Sequence, residues 1–207
     1  MKPTCISLDL DNTISYFKRR GSVILDAAVK LGIPRNTVTT TYQSVREIQG
    51  FSPKNFRSAL ERLGPPFDGR LFEKQITEFL ESSLALYADS RTLRRTNATR
   101  SNIPIVIVTA GDTQFQKRKK ELLELRVPCF VVQPHEGKIA PLQKLLARYG
   151  APIWHVDDRV EELDKIYTSG LVPKKIETIQ IVRGMMPRVS KNSPHRRIRT
   201  LASLFHE

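Results

Sequence analysis

Apolar residues follow two different periods along this chain, and the change of period divides it into two kinds of structure. The apolar run from Cys5 to Leu8 predicts a buried strand. From about residue 21 to residue 86, apolar residues recur at helical spacing, and this segment contains no convincing strand. From about residue 102 to residue 182, short apolar runs alternate with helical segments instead. The chain therefore predicts one strand, then a block of helices, then alternating strands and helices.

The block of helices carries its own boundary signals. Gly32 ends the first helix, and Asn36 is placed to cap the second. Ser52 followed by Pro53 predicts the start of a third helix, because proline fits the first helical turn. A longer fourth helix is predicted to carry an apolar stripe from residue 72 to residue 86.

The alternating segment predicts a doubly wound α/β fold. The β-branched run from Ile103 to Thr109 predicts a fully buried parallel strand. Further strands are predicted at residues 129–132, 153–156 and 176–182, with helices at about 113–125, 139–148 and 160–169. The predicted fold class is α/β: a Rossmann-like parallel sheet flanked by helices, with an all-helical insertion after the first strand. The tail from about residue 184 predicts a loop leading to a short helix at about residues 200–205.

The charge balance of the chain favours anionic partners. The formal net charge is +13 and the pI is near 10.0, which fits phosphorylated substrates, nucleic acid or acidic lipid. Basic residues cluster at 117–120 on a predicted helix, and near the C-terminus as Arg183, Arg188, Lys191, Arg196, Arg197 and Arg199. We interpret both clusters as solvated surface charge. A nucleic-acid partner is the less favoured alternative, since no aromatic residues interleave the C-terminal cluster.

Other features of the composition predict a cytoplasmic protein without a membrane partner. No apolar run approaches the roughly 18–20 residues needed to span a bilayer. Only the residues Met1 to Thr4 precede the first strand, which leaves no room for a signal peptide. Cys5 and Cys129 lie in strand-like runs, and we expect buried thiols rather than a disulfide or a metal site.

Two carboxylates, Asp9 and Asp11, follow the first strand directly. Two like charges at this separation crowd one small volume and resist ionising together unless a cation lies between them. A hard divalent ion such as Mg²⁺ prefers oxygen ligands and would satisfy both. The end of a strand in an open α/β sheet is also where ligands usually bind. This makes the pair the first candidate for a catalytic site.

The other predicted strands also end in polar groups. The strand from Ile103 is followed by Thr109, Ala110 and Gly111, and the strand from Ile153 is followed by Asp157 and Asp158. Lys138 precedes the helix between them. Because the carboxyl ends of parallel strands meet at one edge, these groups are predicted to converge. Acid pairs, a hydroxyl, a lysine and backbone amides together suit Mg²⁺-dependent phosphoryl transfer.

Four of these groups, in this order, resemble the motifs of the haloacid dehalogenase superfamily. They are Asp9-Leu10-Asp11-Asn12-Thr13, Thr109, Lys138 and Asp157-Asp158. The resemblance covers about two thirds of the chain and implies a catalytic core of residues 1–16 and 90–207. The helical stretch of residues 17–89 resembles the family's cap insertion, and we call it the cap. A carboxylate at the position of Asp11 is typical of the phosphatase branches.

The resemblance also implies a role for each residue. Asp9 would be the nucleophile that forms an aspartyl-phosphate, and Asp11 the general acid and base. Thr109, the Ala110 backbone and Lys138 would hold the phosphoryl oxygens. The Mg²⁺ ligands would be Asp9, the backbone carbonyl of Asp11, and Asp158 helped by Asp157. The substrate would be a small phosphorylated metabolite, with a nucleotide and a sugar phosphate both open.

Several alternatives stay open at this level. Lys138 lies closer to Asp157 than in many relatives, so Lys144 is kept as a second candidate. The sequence does not separate Asp157 from Asp158 as the direct metal ligand. A phosphatase acting on nucleic-acid ends and a non-catalytic protein that binds nucleic acid are alternative functions, and either a monomer or a homodimer fits.

Four further residues have open interpretations. His155 is predicted to be packed in the core, and Trp154 to lie in the core or against the cap. Tyr16 and Phe17 either line the substrate pocket or pack beneath the cap.

Overall fold

The structure is a computed structural model, and it describes residues 1–18, 22–63, 66–100, 102–171, 175–183 and 193–205. The strands are Cys5–Leu8 (β1), Ser15–Phe17 (β2), Leu84–Leu86 (β3), Ile105–Ala110 (β4), Cys129–Val132 (β5), Ile153–Asp157 (β6), Ile176–Ile181 (β7) and Arg196–Ile198 (β8). The α-helices are Ser22–Lys30 (α1), Arg35–Ile48 (α2), Pro53–Leu63 (α3), Gly69–Ser83 (α4), Thr113–Leu122 (α5), Ile139–Tyr149 (α6), Val160–Ile166 (α7) and Ala202–Phe205 (α8). A 3₁₀ segment, Ala88–Arg94, and a π-helical segment, Tyr167–Leu171, complete the chain.

Six strands form one sheet in the order β5-β4-β1-β6-β7-β8, and every neighbouring pair is parallel. β1 lies inside the sheet, where Leu8 is in register with Ile107 on one side and Val156 on the other. Apolar clusters pack on both faces: Ile6 and Leu8 belong to one and Cys5 to the other. This alternation follows from the two-residue period of a strand. Because apolar clusters cover both faces of the sheet, its strands have nearly continuous apolar sequences.

The helices α1 to α4 build a separate apolar cluster between β1 and β4 in the sequence. Phe56 and Leu60 of α3 pack there against Phe72 and Ile76 of α4. The predicted start of α3 is confirmed, because Pro53 is its first residue and the hydroxyl of Ser52 accepts a hydrogen bond from the Asn55 amide at 3.2 Å. The prediction that Asn36 caps α2 is wrong, because α2 begins at Arg35, its N-cap is Pro34, and Asn36 lies within the first turn. The boundaries 17–89 of the cap stay a prediction.

The prediction that residues 21–86 contain no strand is wrong at its C-terminal end. Leu84–Leu86 leaves α4 and pairs antiparallel with Ser15–Phe17. Leu84 and Leu86 continue the apolar stripe of α4, so helical periodicity conceals the change of conformation. The pairing partner is some 70 residues away in sequence (86 − 15 = 71), and local pattern carries no information about it. This two-stranded ribbon joins the helices to the sheet.

The C-terminal tail contains a strand that the sequence pattern did not indicate. β8 extends the sheet by pairing with β7, and α8 follows within the predicted short helix. His195 fixes this strand, because its ring nitrogens lie 2.8 Å from the Thr178 hydroxyl and 2.9 Å from an oxygen of Asp164. The basic residues Arg188 and Lys191 lie outside the described residues.

Several smaller predictions can be compared with the structure. His155 is fully buried and Trp154 lies in the core, as expected. Both cysteines are unpaired: Cys5 is buried and Cys129 is partly buried. Among the described residues, no helix combines the length and the apolar character that a membrane span requires.

Candidate active site

Three buried carboxylates meet at the carboxyl edge of the sheet. Asp9 follows β1, Asp157 ends β6, and Asp158 comes next in the chain. Carboxylate oxygens of the three all lie within 4.8 Å of one another. The parallel pairing of β1 with β6 produces this closeness, because the Asp9 amide donates to the Val156 carbonyl at 2.9 Å and so continues the ladder. These three residues lie close together, as the sequence predicts.

Lys138 lies within this group of acids. Its Nζ is 2.5 Å from Oδ1 of Asp9 and 2.5 Å from Oδ2 of Asp157, and the residue is only 3% exposed. Burial disfavours a charged ammonium, but the two carboxylates outweigh it and raise the pKa of Lys138 above its usual range. Lys144, the alternative, is exposed on α6. Lys138 is therefore the lysine that the fold brings to the carboxylates.

The pKa values of the three carboxyl groups are shifted in different directions. Burial, followed by the charges of Asp9 and Asp157, raises the pKa of Asp158 to about 8. Burial also raises the pKa of Asp9, although Lys138 opposes the shift. At Asp157 burial acts in the same direction, but Lys138 and His155 outweigh it and hold the pKa well below its ordinary value. Burial is the largest cause of the raised pKa values at Asp9 and Asp158, and the charges of the neighbouring carboxylates add to it.

The cluster formed by Asp9, Asp157 and Asp158 fits a hard divalent cation. Three carboxylates that each offer one oxygen within a few ångströms form a common donor set for Mg²⁺ or Ca²⁺. A cation between them would also counteract the burial and the neighbouring charges that raise the pKa of Asp158. One Asp157 oxygen accepts from Lys138 and the other accepts from the Arg159 amide at 2.9 Å. Asp157 is consequently the most fully occupied of the three.

Asp11 does not join this group, and its side chain has its own partners. Nζ of Lys119 lies 2.7 Å from Oδ1 and 2.5 Å from Oδ2, and Nε2 of Gln116 lies 3.1 Å from Oδ2. Burial would raise the pKa of Asp11, but Lys119 and then Gln116 outweigh it, so the pKa is lowered. The interpretation of residues 117–120 as solvated charge is therefore wrong for Lys119, which is only 3% exposed. Gln116 and Lys119 share one face of α5 by their i, i+3 spacing, and this was the available signal.

Thr109 and Ala110 end β4 beside the same edge. Thr109 is buried, Ala110 is partly buried, and both line the cavity described below. Asp112 begins α5 by accepting a hydrogen bond from the Phe115 amide at 2.8 Å. The residue that caps α5 is therefore Asp112 and not Thr109.

A cavity of about 580 Å³ opens above these residues. Its base contains Asp9, Thr109, Lys138 and Asp158. Much of the remaining lining is aromatic or basic, and it includes Tyr16, Phe17, Tyr42, Arg46, Phe51, Tyr87, Phe115 and Arg159. Tyr16 and Phe17, whose role the sequence left open, therefore line the cavity. The size suits a small molecule rather than a polymer.

The cap is docked on the loop that follows β4. Gly50 packs against the backbone of Gly111 and Asp112 so closely that a Cβ at residue 50 would lie 2.2 Å from the Asp112 amide nitrogen. The Asn55 side-chain amide donates to Oδ2 of Asp112 at 3.3 Å and to the Gly50 carbonyl at 3.2 Å. On α4, Glu81 forms an ion pair with Arg118 at 2.9 Å. These contacts place the cap over the cavity.

A second set of contacts joins the ribbon of β2 and β3, and the segment that follows it, to the sheet. The guanidinium of Arg183 makes two hydrogen bonds with Asp89, at 2.8 and 3.0 Å, and donates to the Thr13 carbonyl at 2.7 Å. It also lies 4.1 Å from the ring centroid of Tyr87, which in turn packs on Tyr16. Arg183 therefore connects the loop after β1 to Tyr87 and Asp89, which lie in the segment that follows β3. Sequence analysis had assigned it to surface charge, and a contact between such distant residues left no local signal.

Comparison with solved structures identifies the fold. No protein-family model matches the chain, and no curated protein sequence matches it significantly. A haloacid dehalogenase-like hydrolase from Burkholderia xenovorans is 16% identical, with a TM-score of 0.68 over 97% of this chain and 94% of that one. A protein described as a β-phosphoglucomutase from Thermotoga maritima is 13% identical, with a TM-score of 0.61 over 99% and 97% of the two chains. A hydrolase of the same family from Deinococcus radiodurans, solved with bound phosphate and sodium, is 10% identical, with a TM-score of 0.51 over 97% and 92%. The chain has the fold of these proteins, and the predicted fold class is confirmed.

Proposed function

We propose that this protein is a Mg²⁺-dependent phosphomonoester hydrolase of the haloacid dehalogenase superfamily, acting through an aspartyl-phosphate on Asp9. One observation carries the proposal: Asp9 lies at the base of a small cavity, bonded to Lys138 and beside two further carboxylates. The fold shared with the solved hydrolases supports the assignment. The phosphate and sodium bound to the Deinococcus protein agree with an anion and a cation in this fold.

Asp9 and Asp158 would hold the metal, together with the backbone carbonyl of Asp11. Asp157 would act mainly by fixing Lys138, since both of its oxygens already accept hydrogen bonds from the protein. When bound, Mg²⁺ would supply positive charge to the phosphoryl oxygens and to the carboxylates around it. Its presence would leave Asp9 ionised and able to act as a nucleophile.

The steps follow from the placement of the side chains. The free oxygen of Asp9 attacks phosphorus, and the bond to the leaving oxygen breaks. Asp11 gives its proton to that oxygen and then removes a proton from the water that hydrolyses the aspartyl-phosphate. The Lys138 ammonium, the Thr109 hydroxyl and the Ala110 backbone stabilise the charge on the phosphoryl oxygens. The pKa of Asp11 is low in the free protein, and a phosphoryl dianion beside it would raise that pKa toward the protonated form.

The cap would select the substrate and exclude water. Its docking on Gly111 and Asp112 encloses the cavity, which favours a small phosphorylated metabolite over the end of a nucleic acid. The aromatic walls and Arg46 leave both a nucleotide and a sugar phosphate as candidates. Location in the cytoplasm, and a monomeric or homodimeric state, stay predictions.

The test is hydrolysis of p-nitrophenyl phosphate with and without Mg²⁺ by the wild type and by Asp9→Asn. We expect Mg²⁺-dependent activity that falls by roughly 10⁴-fold or more in the variant, because the nucleophile is lost. Asp26→Asn is the matched control: Asp26 lies on α1, where it pairs with Arg35, and its replacement should leave activity unchanged. A folded Asp9→Asn protein with wild-type activity would overturn the mechanism. Activity on a 5′-phosphorylated oligonucleotide but on no small ester would favour the nucleic-acid alternative.

A further inference from the structure

We propose that Lys119 and Gln116 are positioning residues that hold Asp11 for proton transfer to the leaving group, an inference that rests on the proposed function. Neither residue belongs to the four motifs of the sequence resemblance. Both lie on α5 and contact the carboxylate of Asp11, which is not part of the cluster of Asp9, Asp157 and Asp158.

Lys119 is almost fully buried and lines the cavity beside Asp11. Its side chain is 4% exposed, and Asp11 is its sole carboxylate partner among the described residues. The ammonium contacts both oxygens of Asp11, at 2.7 and 2.5 Å, and also lies 5.0 Å from the ring centroid of Phe115. A lysine buried from water costs free energy unless a paired charge compensates it. A surface role for this lysine is inconsistent with that burial.

Gln116 fixes the orientation of the same carboxylate. Its Nε2 donates to Oδ2 of Asp11 at 3.1 Å and to the Ala110 carbonyl at 3.2 Å. Both partners are acceptors, so the nitrogen must face them and the amide orientation is settled. A Cβ at Gly111 would lie 2.7 Å from this nitrogen, and glycine there leaves room for the amide. Gln116 thus ties the Asp11 loop to the end of β4.

The helix that carries both residues also meets the cap. Phe115 packs on Phe51 with their ring centroids 6.1 Å apart, and Arg118 pairs with Glu81. One helix therefore links the docked cap to the carboxylate that faces the leaving group. A displaced α5 would move Asp11 away from its position and leave Asp9 and Lys138 where they are.

This arrangement predicts an effect that depends on the leaving group. A poor leaving group needs a proton from Asp11 in the transition state, whereas a good one leaves without it. Losing Lys119 should therefore slow the hydrolysis of methyl and phenyl phosphate far more than that of p-nitrophenyl phosphate. Binding and the attack by Asp9 should be much less affected.

The experiment measures single-turnover release of alcohol from these three esters, which isolates formation of the aspartyl-phosphate. In Lys119→Met we expect a loss of about 10²-fold on methyl phosphate and less than about 5-fold on p-nitrophenyl phosphate. Gln116→Leu should show the same order with smaller losses. Lys117→Met is the matched control, since Lys117 is exposed on the same helix, and all its rates should equal those of the wild type.

A double variant separates positioning from a structural role. If Lys119 acts through Asp11, adding Lys119→Met to Asp11→Asn should cause almost no further loss on methyl phosphate. Equal losses on all three esters, or additive losses in the double variant, would overturn the proposal while leaving the phosphatase assignment intact. No hydrolysis by the wild-type protein would overturn the phosphatase assignment, and this proposal with it.

Discussion

The base and the roof of the cavity are built in different ways. The base is made of side chains at the carboxyl edge of the sheet, where Lys138, at the start of α6, is hydrogen-bonded to both Asp9 and Asp157. The roof includes Tyr42 and Arg46 of α2 and Phe51 in the loop that follows, and this part of the cap touches the core through Gly50 and a few polar contacts. Strand pairing holds the base rigidly, whereas the roof depends on surface docking.

We infer from this difference that the base carries out the chemistry and that the roof selects the substrate. In this chain the parallel pairing of β1 with β4 and β6 places the candidate phosphate-handling groups at one edge of the sheet. Helices that dock through small contacts can change their sequence and tilt without disturbing the sheet. We infer that changes at the base remove activity, and that changes at the roof alter which substrate is accepted and how tightly.

The largest effect is expected from removing the Lys138 ammonium at the base of the cavity. Lys138→Ala would leave Asp9 and Asp157 buried without their shared partner, and breaking a buried pair costs about 3–5 kcal/mol. We expect a clear loss of urea stability in EDTA and nearly complete loss of hydrolysis. Lys144→Ala, on the exposed face of α6, is the control and should change neither quantity. Comparable stability of both variants would show that the cluster is not held as described.

A smaller effect at the base concerns pH. Asp158 binds a cation only as a carboxylate, and burial with the charges of Asp9 and Asp157 raises its pKa to about 8. Without metal, folding favours the protonated acid, so this group's contribution to stability falls as pH rises from its unfolded pKa of about 4 toward 8. Mg²⁺ affinity therefore rises with pH over the same window, by up to about tenfold per pH unit below the pKa.

Calorimetric titration of Mg²⁺ between about pH 6 and pH 9 measures this dependence. Asp158→Asn should weaken binding and flatten the slope, whereas the exposed Asp26→Asn should retain it. Affinity that is constant across the range would contradict the raised pKa of Asp158.

The sequence predicted the base far better than the roof. Asp9 and Asp157 converge because parallel topology brings the ends of strands together, and Lys138 joins them from the start of α6 at the same edge. This topology can be inferred from alternating strands and helices. Lys119 was misplaced because a basic run on a helix conceals the lysine that shares a face with Gln116 at i, i+3 spacing. The pairing of Leu84–Leu86 with Ser15–Phe17 depends on contacts between distant residues, and local periodicity cannot reveal them.

The smallest effect, at the roof, comes from its closest contact with the core. A Cβ at residue 50 would lie 2.2 Å from the Asp112 nitrogen, with φ at +76°, so Gly50→Ala must push the cap away from the loop. Gly32→Ala is a matched control, because Gly32 has φ at +85° and open space around it. Both variants carry a similar backbone strain of about 1 kcal/mol, and only the first carries the clash. We expect kcat/KM for p-nitrophenyl phosphate to fall about tenfold in Gly50→Ala and to stay near the wild-type value in Gly32→Ala. Mg²⁺ affinity should be unchanged in both, since the base is intact; equal activity in the two variants would mean that docking at Gly50 does not control the cavity.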